Sequence, residues 1–511
     1  HYGPSPGRRR RIQREYREHI GDGSGGSTVF LWWRAPVWSW SSDTLVWFYM
    51  HSAPSQEGTG APMSKSASRR WLYGILAFLV AVIVVVVAAL VIHQRNAYTV
   101  ADAQPLPEPS PVLAPAQTDG PAPDVSDEVA GPASDPALGR LSGHVTDIAT
   151  GEEVWSENPD TMLVPASATK LATATAALVT LDEDERVATT VYPGAKPGQI
   201  VLKGDGDITL ERSEGSGFFT SPANIDDLAS QVTDALGGTD ITEIVVDNSA
   251  RAGSLFNRTW SRDDIGAGNV APLSAVMLDA GRLDPTDSYS PRSTTPASDV
   301  GDALASALGA DGATVSVTDS AVDVSDESAL ATVYSAPLST RIRDMLLHSD
   351  NLLAEAVGRE VAQARGEDPT FEGATKATLA ALTEEGLDVS KVVLRDNSGM
   401  SESNRLNARI LDGIITAAGT DDDLRVMLDG LPVAAGNGTL LDRYGDGSGA
   451  TGGAGWVRAK TGTLDGVNTL AGTVTTESGR TLSFAFLSNG SDADEGRAAL
   501  DRLAAALRSA T

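Results

Sequence analysis

No cysteine occurs in the 511-residue chain. That absence excludes disulfides, thiolate metal sites and a cysteine nucleophile together. Histidine is nearly as scarce. Of six, only His144 and His348 lie beyond residue 100, so no histidine-rich metal site is expected. Lysine occurs only seven times, and basic charge as a whole is in deficit. There are 39 Lys and Arg against 68 Asp and Glu, for a net charge of −29. The first 70 residues hold ten basic and five acidic side chains, so the remainder stands at −34. A surface that acidic repels a phosphate backbone, and nucleic acid is excluded as an expected partner.

What is present is unevenly spread. Five of the nine tryptophans (Trp32, Trp33, Trp38, Trp40 and Trp47) fall within residues 1–62, beside the run Arg8 to Arg11. Residues 1–62 read either as an unstructured basic tail with an aromatic membrane-touching segment or as a mis-started leader upstream of Met63. Residues 63–95 have a clearer pattern. Lys65, Arg69 and Arg70 precede an uncharged apolar run from Trp71 to Ile92, 22 residues long. As a helix it would extend about 33 Å, enough to cross a bilayer. Basic residues on its N-terminal side predict a cytoplasmic N-terminus. Its length predicts an uncleaved anchor at the cell membrane, with the body extracytoplasmic. Residues 96–138 are rich in Pro, Ala and Asp and predict an extended, disordered linker.

The body, 139–511, is too long for one small core. It opens with a hairpin pattern, Leu141 to Ile148 and Glu153 to Asn158. Pro165 then introduces a helical run from Ser167 to Leu181. Between residues 185 and 335 short β-like pieces alternate with turns, which reads as an inserted domain. Helical patterns return over Ser339 to Arg365, Glu372 to Glu385 and Asn407 to Ala418, with a strand expected over Lys391 to Leu394. Two C-terminal strands, Asn468 to Thr475 and Arg480 to Ser488, precede a closing amphipathic helix. An antiparallel sheet flanked by helices places the body in the α+β class, with its main domain formed by 139–184 and 336–511.

Three lysine- and serine-bearing motifs carry the chemistry. Ser167 and Lys170, three apart, share one helical face, and a serine with an amine one turn away is a nucleophile with a built-in base. Ser349-Asp-Asn351 heads an apolar helix, and alone reads equally as a helix cap. Lys460-Thr-Gly-Thr463 stands at a strand edge, and alone reads equally as a turn. Asp396-Asn-Ser-Gly399 is a turn pattern in which Asp396 and Ser398 are candidate site-lining residues. The glycine-rich stretch Gly445 to Gly455 lacks the Gly-Lys-Ser/Thr ending of a phosphate loop. Asp205 and Asp207 lack the spaced Glu of a calcium loop, and no metal or cofactor is expected.

The order of the three motifs resembles that of serine-acylating penicillin-binding enzymes. Val164-Pro-Ala-Ser-Ala-Thr-Lys-Leu171, Val245-Val-Asp-Asn-Ser249, Ala271-Pro-Leu-Ser-Ala275, Asp396-Asn-Ser-Gly-Met400 and Gly438-Thr-Leu440 sharpen the likeness. Residues 139–511 resemble the class C low-molecular-mass penicillin-binding proteins, the D-alanyl-D-alanine carboxypeptidase/endopeptidase family. Gly204-Asp-Gly-Asp207 stands where that family has a glycine-rich run ending in Asp-Pro.

The resemblance implies a penicillin-binding/β-lactamase-like fold with one inserted domain. It also implies a serine carboxypeptidase, with endopeptidase activity open, that acts on peptidoglycan stem peptides through an acyl-enzyme and is inhibited by β-lactams. Ser167 would attack, Lys170 would take its proton, Ser349 would pass a proton to the leaving amine, and Asn351 would bind the substrate amide and steady Lys170. Lys460, Thr461, Gly462 and Thr463 would bind substrate, with the terminal carboxylate held by Lys460, Thr461 and Thr463. In this scheme Lys170 gives up its charge and Lys460 keeps its own. A β-lactamase or esterase with the same motifs, and a non-catalytic wall-binding protein, are the alternatives.

Overall fold

The computed structural model describes residues 65–95, 120–324 and 327–510. Segment 1–62 and most of the expected linker lie outside the described residues. The chain divides into two units, with the boundary at residue 108. The first contains helix α1 (Lys65–Arg95). Within it the 20-residue stretch Tyr73–Ile92, with a mean hydropathy of 3.6 over its most apolar 18-residue window, is long and apolar enough to cross a membrane. Phe78, Val85, Leu90 and their apolar neighbours are exposed around the helix, a pattern unlike the one-sided stripe of a helix lying on a protein core.

The second unit begins with α2 (Ser126–Ala133), the hairpin β1 (Arg140–Asp147) and β2 (Glu152–Glu157), and α3 (Thr169–Leu178). It continues through β3 (Ala188–Pro193), β4 (Gln199–Gly204), α4 (Ile225–Leu236), β5 (Glu243–Asp247), α5 (Pro296–Ala307), β6 (Thr314–Thr318) and β7 (Ala331–Tyr334). Then come α6 (Leu338–Leu347), α7 (Asn351–Ala364), α8 (Phe371–Glu384) and α9 (Ala408–Thr420). It closes with β8 (Val457–Leu464), β9 (Val467–Thr475), β10 (Thr481–Asn489) and α10 (Ala493–Ala506).

The first and last strands of the second unit meet in the main sheet, whose antiparallel order is β2-β1-β10-β9-β8. β1 pairs with β10 from Arg140 opposite Asn489 to Asp147 opposite Leu482. The two-residue period of β10 builds two cores. Leu482, Phe484 and Phe486 pack with Leu500, Leu503 and Leu507 near the C-terminus. Ala485 and Leu487 face the opposite way, into a helical core containing Leu171, Leu352, Leu353, Ile414 and Ile415. A second sheet, β6-β5-β4-β3-β7, combines parallel β4-β5-β6 with antiparallel β3 and β7, and α4 and α5 cover it with a third core.

Several expectations need correction. The linker was expected to run to 138, but the chain is folded from 120. Val125, Val129 and Leu138 are fully buried against the core of α10, three apolar side chains that an averaged composition hides. The region 185–335 does not all go to the inserted sheet. Phe219, Trp260, Val270, Leu273 and Met277 instead join the helical core of the main domain. The run 339–365 is two helices. Ser349 takes φ +58 between them, and Asp350 starts the second by accepting a hydrogen bond from Leu353 N. The strand expected over 391–394 is a single bridge, Val393 to Arg405. β8, read as a turn or strand edge, is a full edge strand carrying Lys460 in its middle.

Candidate active site

Ser167 lies in a 3-10 turn, Ala166–Ala168, that leads into α3. Ala166 adopts φ +46, a left-handed conformation that costs a residue with a Cβ about 1 kcal/mol or more. Two glycines from distant segments brace this turn. A Cβ on Gly399 would fall 1.9 Å from Ala166 O, and one on Gly462 would fall 2.8 Å from Pro165 O and 3.1 Å from Ser167 N. Gly462 therefore lets edge strand β8 lie directly against the backbone of Ser167, and Thr463 is the next residue along that strand.

Lys170 is fully buried. Its Nζ donates to Ser167 Oγ (3.0 Å), Asn351 Oδ1 (2.7 Å) and Ser398 O (2.7 Å). Asn351 Nδ2 in turn donates to Asn269 O at 3.0 Å, fixing the amide's orientation. Lys460, also fully buried, donates to Ser349 Oγ and Thr461 O, each at 2.9 Å. Thr461 Oγ1 lies 2.7 Å from Thr439 Oγ1, within the Gly438-Thr-Leu440 stretch. The structure thus brings Ser167, Lys170, Ser349, Asn351, Lys460, Thr461 and Gly462 into one site. An amine 3.0 Å from a serine hydroxyl can take its proton, and a second amine beside a second hydroxyl can hold an anion nearby.

Of the two site-lining candidates, Ser398 contributes its carbonyl to Lys170, while its Oγ accepts from Met400 N at 3.4 Å. Asp396 is fully buried and faces away from the serine. It accepts from Trp260 Nε1, Gly399 N, Ser401 N and Asn404 Nδ2, at 2.6 to 2.9 Å, and so shapes the turn. Among the described residues, no three His, Asp or Glu side chains converge to hold a metal ion.

The lysine shifts do not follow the expected division of charge. Burial pushes Lys170 down to about 8, and the carboxylates of Asp350, Asp396 and Glu355 keep it from falling further. Burial pushes Lys460 well below the usual lysine range, and the charge of Lys170 pushes it the same way. Among the described residues no carboxylate offsets this at Lys460, whereas three do at Lys170.

Sequence reasoning missed the support around Asp350. Burial opposes its charge, but Arg282 (2.9 Å) and Arg292 (3.5 Å) hold its carboxyl well below the usual carboxylate range. Arg282 stacks on the Phe218 ring, 3.6 Å from its centroid. These arginines lie 68 and 58 residues upstream, and no local pattern ties them to Asp350. Glu355 was also missed, although a lone carboxylate within the apolar run Leu352 to Val357 was a readable signal.

Comparison with known proteins identifies the family and the fold. The model of the D-Ala-D-Ala carboxypeptidase 3 (S13) family matches residues 125–289 and 284–509. Carboxypeptidase DacB of Mycolicibacterium smegmatis is 42% identical over 445 residues, covering 85% of this chain and 96% of the relative. Carboxypeptidase Rv3627c of Mycobacterium tuberculosis is 41% identical over 381 residues, covering 73% and 81%. The crystal structure of penicillin binding protein 4 from Haemophilus influenzae superposes with a TM-score of 0.59 at 20% identity, over 75% of this chain and 97% of that one.

Proposed function

The chain belongs to the D-Ala-D-Ala carboxypeptidase S13 family, and from that premise we propose how its residues carry out the reaction. The protein is a serine-type D-alanyl-D-alanine carboxypeptidase. We infer that Ser167 Oγ attacks the carbonyl carbon of the penultimate D-alanine of a peptidoglycan stem peptide while Lys170 takes the hydroxyl proton. The N–H groups of Ser167 and Thr463 receive the developing oxyanion. Ser349 relays a proton to the departing D-alanine amine, and Asn351 holds both Lys170 and the substrate amide. Lys460, Thr461 and Thr463 bind the terminal carboxylate. Water then attacks the ester, and Lys170 returns Ser167 to its starting state. β-Lactams present the same carbonyl and carboxylate and acylate Ser167 in place of substrate.

The observation that carries this reading is the buried contact of Lys170 Nζ with Ser167 Oγ at 3.0 Å, closed by Asn351 and Ser398. The test uses the full chain with a labelled penicillin and, separately, a D-Ala-D-Ala pentapeptide. Wild type takes one covalent label and releases free D-alanine, whereas Ser167→Ala does neither. Equal labelling of the two proteins would refute the assignment. Residues 71–92 are proposed as a single membrane anchor with a cytoplasmic N-terminus, because Lys65, Arg69 and Arg70 precede the span. Protease added outside intact cells should then digest the body.

A further inference from the structure

We propose that Glu355 is a positioning residue for Lys170, holding the carbonyl that one of the lysine's three hydrogen bonds depends on. The inference rests on the reading of Ser167 and Lys170 as the acylating pair.

The geometry runs along one face of α7. Asn351 opens the helix and accepts directly from Lys170 Nζ at 2.7 Å. Glu355 is four residues on, so its side chain lies over the same face. It does not touch Lys170 but works through the 396–399 turn. Its Oε1 accepts from Asn397 N at 3.0 Å and from Ser398 N at 2.8 Å. With both N–H groups tied to the helix, the turn is oriented so that Ser398 O points back at Lys170 Nζ, 2.7 Å away. Gly399 follows at φ +89, with its backbone against Ala166 beside the nucleophile. One carboxyl oxygen therefore sets the base from one side and the nucleophile's turn from the other.

The second oxygen explains why an acid stands here rather than an amide. Glu355 is fully buried, and Oε2 has no hydrogen-bond partner among the described residues. The NH2 of a glutamine, or the O–H of a neutral carboxyl, would be a stranded donor there, and only the ionised carboxylate leaves no donor without an acceptor. Burial, with the Asp396 charge adding to it, pushes this carboxyl up to about 8, the range of Lys170 itself. Two groups that titrate together inside one pocket lose their protons as a linked pair. Ionised Glu355 favours the ammonium form of Lys170, so full deprotonation of the lysine is delayed until the pair has lost both protons. The other charges facing the pair are Asp396 from the turn, Asp350 (itself paired with Arg282 and Arg292) and Arg359 from α7, and Lys460 from β8. Glu355→Gln leaves all of these in place.

The pH dependence of penicillin acylation, followed as the second-order rate, tests this. In wild type the acid limb reflects two linked ionisations. In Glu355→Gln it becomes a single ionisation displaced to lower pH by about one unit. Glu355→Ala, which frees the turn, slows acylation about 100-fold at the optimum. Melting temperatures of both variants are measured alongside. A Glu355→Gln profile identical to wild type, or a Glu355→Ala protein that is less stable yet acylates at the wild-type rate, would reduce Glu355 to a structural residue and overturn the proposal. If wild type labels and Glu355→Gln keeps its profile, only this inference fails. If wild type takes no label, the assignment of the acylating pair fails with it.

Discussion

Two buried lysines share this site, and their surroundings separate them. Burial pushes Lys170 down to about 8 against the pull of three carboxylates, and pushes Lys460 well below the usual lysine range with no carboxylate among the described residues to offset it. The proposed mechanism needs a neutral Lys170 and a charged Lys460 at the moment of reaction. In that mechanism a substrate carboxylate supplies what is missing. Placed against Lys460, it favours the ammonium form there, and that new charge pushes Lys170 down in turn. The sign can be followed in rate profiles. An amine accepts a proton only when neutral, so kcat/KM, which reports the free enzyme, should rise with pH through about 8. The rise in kcat, which reports the complex, should come at lower pH. Pentapeptide hydrolysis across pH 5 to about 9.5 gives both limbs. Coincident limbs, or a kcat limb at higher pH, would show that substrate does not reorder the lysines.

The turns and edges that hold these side chains depend on glycines. Gly399→Ala would place a methyl 1.9 Å from Ala166 O at a φ of +89, so either the 396–399 turn or the Ser167 turn must move. A displacement of about 1 Å at the nucleophile costs on the order of 100-fold in rate. Gly399→Ala should therefore acylate about 100-fold more slowly while still folding, since the helical core lies behind the turn. Stopped-flow acylation beside a thermal melt would separate the two effects, and an unchanged rate would show that the Ser167 turn stands without this brace. Elements with a strong local period were legible in the sequence. The helix expected over Asn407 to Ala418 is α9, Ala408–Thr420, and the β9–β10 pair lies within a residue of its expected bounds. What escaped had its cause elsewhere in the chain. β8 was not read as a strand because Lys460-Thr-Gly-Thr463 looks like a turn until β9 is beside it. At Ser349 the apolar period runs on, because α6 and α7 face the same core, and only the helix-heading motif Ser349-Asp-Asn351 signals the break. The three catalytic motifs were visible as motifs. The salt bridges of Asp350 and the turn held by Glu355 were not, because each joins residues more than forty positions apart.

At the scale of the whole body, residues 125–138 and the C-terminal helix close one core between them, and this decides where the folded unit begins. Composition placed that boundary at 139, which keeps every motif and the entire main sheet. The structure adds residues 120–138 to the fold. Val125, Val129 and Leu138 are buried with Leu503, Leu507 and Phe486, and Asp135 pairs with Arg502 of α10 at 2.6 Å. Burying a side chain of this size is worth about 1.5–3 kcal/mol, so loss of all three outweighs the half-exposed ion pair. None of these residues reaches the catalytic site, which lies across the main sheet in the helical core. A chain beginning at 139 should therefore melt at least about 5 °C below one beginning at 120, yet take up labelled penicillin to the same stoichiometry well below its melting point. Differential scanning calorimetry and labelling on the two proteins distinguish the outcomes. Equal melting temperatures would show that 120–138 lies on the body without supporting it. A stable but unlabelled shorter protein would show instead that the N-terminal segment reaches the site through the sheet, a coupling for which the packing offers no path.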